Sequence, residues 1–136
     1  MGLWRFEVSP APDRADPLGA STLQMLREFS IRTVQAVRSA KLFLIELAEQ
    51  DHHGEAATAR RIADELLTDP VVETCSILFA GDQIPEAEGA LSIEVHPKPG
   101  VMDPVAQSTA LALTDMGVRT SSIRTAHRFE LSPIPD

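Results

Sequence analysis

Glu7-Val8-Ser9-Pro10-Ala11-Pro12-Asp13-Arg14-Ala15-Asp16-Pro17 decides how this chain is read, because it returns as Glu94-Val95-His96-Pro97-Lys98-Pro99-Gly100-Val101-Met102-Asp103-Pro104. Glu, Val, Pro, Pro, Asp and Pro coincide at one constant offset. The match continues through Ser21-Thr22 and Ser108-Thr109, Leu26 and Leu113, and Arg32-Thr33 and Arg119-Thr120. One deletion then brings Val37-Arg38-Ser39-Ala40-Lys41-Leu42-Phe43 onto Ile123-Arg124-Thr125-Ala126-His127-Arg128-Phe129. An ordered set of this length is the mark of an internal repeat. The expected organisation is a first unit over 1–79, a linker over 80–90 and a second unit over 91–136.

Each unit opens on an alternation. Trp4, Phe6 and Val8 interleave with Arg5 and Glu7, and Leu91, Ile93 and Val95 repeat the pattern, the period of a half-buried strand. A Pro-containing loop leads to Asp16-Pro17 and to Asp103-Pro104. Asp caps a helix N-terminus, and Pro suits the first helical position, so these four residues are expected to be structural caps. The helices that follow place Leu18, Met25, Leu26 and Phe29 on one face, and Val105, Ala112, Leu113 and Met116 on the other copy's face. Gly117 fits a helix C-terminus. A strand region follows over 33–47, with a counterpart over 120–131. Its run Leu42-Phe43-Leu44-Ile45 reads as a central strand covered on both faces.

The first copy then adds a helix from about Glu55 to Leu67, with Ala59, Ile62, Ala63, Leu66 and Leu67 at helical spacing. Thr68-Asp69-Pro70 stops it, and 71–79 reads as a strand. The first copy is therefore β-α-β-β-α-β, or β-α-β-α-β if 33–47 is one bent strand. The second copy, closing on Ser132-Pro133-Ile134-Pro135-Asp136, lacks the second helix and last strand. A unit short of both leaves part of a sheet face and one edge for a partner or a following segment to cover. The fold class is α+β: antiparallel sheets with helices packed on one face, the second unit incomplete.

Composition narrows the function. The chain has 136 residues, 43% of them hydrophobic, with 12 basic against 20 acidic, a formal charge of −8. That is a globular size and content, and a poor match to a nucleic acid, whose phosphates need clustered Lys and Arg. The single Cys75 makes no internal disulfide and no zinc site by itself, and fits a reducing compartment. No apolar run approaches a membrane span and 1–10 has no signal-peptide pattern, so a cytoplasmic location is expected.

Candidate chemistry is sparse. His52-His53 reads as a polar loop pair; a small stand-alone enzyme built on them is one hypothesis. Cys75 reads as a strand thiol with no base beside it. Lys98 lies in a stiff strand-to-helix loop. Arg38, Lys41, Arg124, His127 and Arg128 form a basic set at matching places of the two copies, and with Lys98 are the candidate partner interface. No GxGxxG, GxxxxGK[ST], HExxH or GxSxG occurs. No catalytic, metal-binding or cofactor-binding set is expected in this chain.

Lys98-Pro99-Gly100-Val101-Met102-Asp103-Pro104-Val105-Ala106-Gln107-Ser108, with Leu113-Thr114-Asp115-Met116-Gly117-Val118 and Ile123-Arg124-Thr125-Ala126-His127-Arg128-Phe129, resembles the PurS family. These are small subunits of phosphoribosylformylglycinamidine synthase. The first copy shares the Asp-Pro and, in Leu66-Leu67-Thr68-Asp69-Pro70-Val71-Val72-Glu73, resembles the family's helix-to-strand junction; it departs at Ala11 and Asp13, where Lys and Gly are usual. The resemblance implies tandem PurS-like units, related to the ferredoxin-like fold. It also implies a non-catalytic assembly role in purine synthesis, holding the synthetase and glutaminase parts together for ammonia transfer, with possible homo-oligomers. The complex it resembles uses ATP, magnesium and glutamine. The alternative is a ferredoxin-like regulatory module that binds a small molecule.

Overall fold

The computed structural model describes residues 2–48, 52–85 and 87–134. The elements are β1 (Gly2–Pro10), α1 (Pro17–Glu28), β2 (Ala36–Leu47), α2 (His52–Ile62), β3 (Glu73–Phe79), β4 (Leu91–Val95), α3 (Pro104–Asp115) and β5 (Thr120–Ser132). A wider π-helical turn, Ala63–Leu67, prolongs α2; Thr68 N–H donates to the Ala63 carbonyl at 3.1 Å. The region 33–47 holds one strand, so the first copy is β-α-β-α-β. Helix α2 begins at His52, not near Glu55, which puts His52 and His53 in its first turn and not in a loop. Their side chains lie outside what is described.

The five strands form one antiparallel sheet in the order β3-β1-β2-β5-β4. Its centre is the long β2–β5 ladder, from Ala36 opposite Ser132 to Leu47 opposite Thr120, with one irregularity at Glu46/Leu47. Within it Lys41 faces His127, the residue that matches it in the sequence. β1 flanks β2 as β4 flanks β5, so the two β-α-β segments spread from a local two-fold axis through that pair.

The helices share one face. Trp4, Phe6, Val8, Phe43, Ile45 and Leu47 meet Ala59, Ile62 and Ala63 of α2 and its extension, and Leu113 of α3. Small Ala side chains let α2 lie close, and burial of this set is the main apolar stabilisation. A smaller cluster under α1 joins Val34, Val37 and Leu131 to Leu23, Leu26 and Phe129. The apolar face of α1 is only partly covered. Only Leu26 of the four residues is packed, while Leu18, Met25 and Phe29 are exposed, because nothing among the described residues lies over that side of the helix.

The other sheet face has no helix, yet Ala40, Leu42 and Ala126 on it are buried. The segment 80–90 explains this. β3 and β4 are opposite edges, so their connection must cross the sheet; the Pro85 carbonyl reaches Arg128 and the Gly89 carbonyl accepts from Ile134 N–H. The linker is a strap that covers the second face of the central strands.

Candidate functional site

The two Asp-Pro pairs do more than start helices. Asp16 is the N-cap of α1 and accepts from Gly19 N–H at 2.9 Å; Asp103 caps α3 and accepts from Ala106 N–H at 3.0 Å. Each carboxylate also takes a strand residue: Ser39 N–H and hydroxyl at 2.6 Å for Asp16, Thr125 N–H and hydroxyl at 2.9 Å for Asp103. Each helix N-terminus is thus fastened to the central ladder. Burial pushes both carboxyls up, but the donated hydrogen bonds outweigh it and hold both below the usual aspartate value. Gly19 permits the close approach of α1. A Cβ there would meet the Val37 carbonyl oxygen and lie 2.7 Å from Asp16 Oδ2.

On the strap side of the sheet lies a charge network absent from the sequence expectations. Arg128 donates to Glu7 at 2.9 Å, to Ser92 Oγ at 2.5 Å and to the Pro85 carbonyl at 3.1 Å. Arg5 donates to Glu94 at 2.5 Å, and His96 lies 2.9 Å from the other oxygen of Glu94. The first copy's glutamate therefore holds the second copy's arginine, and the first copy's arginine holds the second copy's glutamate. Burial raises the Glu94 carboxyl, and the Arg5 and His96 contacts more than offset this, so it stays below the usual glutamate value. The signal was present: Glu7 and Glu94 are matched positions on the polar side of matched strands. What the sequence lacked was the register that brings Arg5 and Arg128 across.

The basic set does not form one surface. Lys41 and His127 face each other on the helix-bearing side and are exposed; Arg38 and Arg124 lie exposed on the strap side; Lys98 is exposed in the loop before α3. Arg128 is the correction. At 5% exposure and with three partners it fastens the two halves together and offers no charge to a partner.

Cys75 packs half-buried against the main core, and burial pushes its thiol up, away from a nucleophile's range. Among the described residues no group of three or more His, Cys, Asp or Glu could hold a metal ion. No described helix is long and apolar enough to cross a membrane. Two of the openings among the described residues bear on function. One, of about 430 Å³, lies under the strap and is lined by Leu78, Pro85, Glu7, Arg128 and Glu130 among others. The other, of about 300 Å³, lies between the extension of α2 and the start of α3, with Phe43 at its floor.

Residues 4–81 match the family model for PurS, described as phosphoribosylformylglycinamidine (FGAM) synthase. The stretch whose motif carries the sequence resemblance, 98–129, lies outside that match; the matched part is the copy that has its second helix and closing strand. Three solved structures are similar. PurS of Methanocaldococcus jannaschii, one of the subunits of formylglycinamide ribonucleotide amidotransferase in the purine biosynthetic pathway, is 17% identical with a TM-score of 0.55, over 61% of this chain and 100% of that one. PurS of B. subtilis is 22% identical with a TM-score of 0.51, over 58% of this chain and 98% of that one. A chain of PurLQS from Thermotoga maritima is 26% identical with a TM-score of 0.51, over 58% and 99%. No curated protein matches the chain. The matched fold is the antiparallel sheet with helices described above, and the chain belongs to the PurS family of the purine-biosynthetic enzyme FGAM synthase.

Proposed function

We propose that the chain is a non-catalytic assembly domain of FGAM synthase, made of two PurS-like units, that bridges the synthetase and glutaminase parts so that ammonia passes between them. The observation that carries this reading is the β2–β5 ladder. It joins a matched PurS unit to a second β-α-β segment with the same cap geometry, in one sheet. In this reading ATP, magnesium and glutamine are bound by the partners, and the setting is the cytoplasm. The experiment is native mass spectrometry of the folded chain mixed with the synthetase part, the glutaminase part, or both. A stable assembly is the expected result, and a folded chain that joins neither part refutes the reading.

A regulatory small-molecule reading draws on the strap-side opening of about 430 Å³ between Glu7, Arg128 and Glu130. It predicts a saturable metabolite that raises the melting temperature by mass action. A thermal-shift screen of purine-pathway metabolites with no shift removes it.

A further inference from the structure

Lys41 and His127 stand directly opposite each other at the centre of the β2–β5 ladder, on the helix-bearing side. Side chains so placed start about 5 Å apart, and two like charges there oppose the pairing. Both are exposed, and neither has a hydrogen bond or ion pair with a described residue, in a chain of formal charge −8. On the strap side, by contrast, Arg5 and Arg128 each hold a glutamate. A further opening, of about 300 Å³, is lined by the unpaired cations. Val8, Pro10 and Leu18 are its apolar walls, and Asp16 and Glu73 are its carboxylates. Both carboxylates are engaged: Asp16 accepts from Gly19 and Ser39, and Glu73 Oε1 accepts from Asp69 N–H at 2.9 Å. The α1 N-terminus is therefore already filled by Asp16. The donors left in the lining are the Lys41 ammonium and the His127 ring, which stacks beside Phe129 with centroids 6.4 Å apart.

We propose that Lys41 and His127 hold one small oxyanion of the phosphate-monoester class between them, with its organic part against the apolar walls. A tetrahedral dianion matches two cations in charge, and its oxygens point several ways, so one reaches a donor on each strand. The opening is at the small end of ligand pockets, which span about 300–1,000 Å³, and suits a phosphate on a small organic group. The bound anion also removes the like-charge opposition across the joint between the two copies, so occupancy strengthens the ladder. Histidine is the side chain whose charge changes between pH 5 and 8. The charged groups around His127 are Lys41 on β2, Asp16 at the start of α1 and Glu73 on β3, while the strand residue opposite it on β4 is the uncharged Val95. Asp16 is held below the usual aspartate value and stays ionised throughout that range. Binding therefore tightens as His127 takes up its proton. This site is independent of the assembly reading.

The experiment titrates the full chain with inorganic sulfate, a dianion at every pH used, against chloride at constant ionic strength. Backbone amide shifts over 39–43 and 125–129 report binding, and the same spectra report folding. Lys41→Gln and His127→Gln change exposed side chains, and Arg60→Gln on the exposed side of α2 is the control. Expected results are saturation at pH 6, about tenfold weaker at pH 8, about tenfold weaker in each of the first two variants, and unchanged in the control. A shift that does not saturate, or that chloride reproduces, is screening alone and overturns the proposal. Equal affinity at pH 6 and pH 8 in the wild type removes His127 from the site, whatever the variants do. Equal affinity in both variants places any sulfate elsewhere. Acetate that saturates as tightly as sulfate assigns the pair to a carboxylate and overturns the phosphate class.

Discussion

Ser30 and Gly117 stand at matching helix ends with φ of 64° and 77°. Both ends close by the same pair of bonds: Ile31 N–H to the Leu26 carbonyl and Ser30 N–H to Arg27, Val118 N–H to Leu113 and Gly117 N–H to Thr114. This is a Schellman motif, in which the left-handed residue is normally Gly because a Cβ is strained there. Ser30→Gly is therefore expected to raise stability by about 1 kcal/mol in a urea titration, with no change at Gly117. At the other helix ends, Asp16→Ala and Asp103→Ala are each expected to cost about 1–2 kcal/mol. They share no partner, so the double variant should be additive. The pH sign follows from the lowered carboxyls. The folded state prefers the ionised form, so the stabilisation is complete above the ordinary aspartate value and is lost as pH falls through the lower folded values. Acid unfolding of the wild type should steepen below about pH 4, and the double variant should lose part of that dependence.

Among the elements, the Arg128 crosslink and the strap separate what was legible from what was not. Alternation in 4–8 and 91–95 placed two strands correctly, and Asp-Pro placed two helix starts, because period and capping are local. The pairing of β2 with β5 was not legible, since register between distant strands leaves no local trace. For that reason the sequence shows Arg128 only as one strand cation among others and 80–90 only as a connection, although Arg128 is buried and the strap covers a sheet face. On α1, periodicity puts Leu18, Met25 and Phe29 on one face with Leu26, and it reports an apolar face but not whether anything lies against it. Arg128→Ala removes the nearer of the two cations on Glu7, leaving Arg5 at 3.9 Å, and the stability loss should be about 3 kcal/mol, at the low end for a broken buried pair. Pairing Arg128→Met with Glu7→Leu should recover most of it, because no uncompensated charge is left. A single-variant loss under 1 kcal/mol would show that the crosslink contributes little.

At the scale of the molecule, one sheet carries a closed half and an open half around the Lys41–His127 axis. The family match over 4–81 covers β1, α1, β2, α2 and β3, while the apolar sides of α1 and of β4 face outward. In the proposed assembly role, this shape holds an ammonia source and an ammonia user together, and the chemistry is done in the partners. The direct measurement is steady-state amidation by the synthetase and glutaminase parts, with and without this chain, using glutamine or ammonium as the nitrogen source. Omitting the chain is expected to lower the glutamine-supported rate and leave the ammonium-supported rate unchanged. Equal glutamine-supported rates with and without the chain would contradict it.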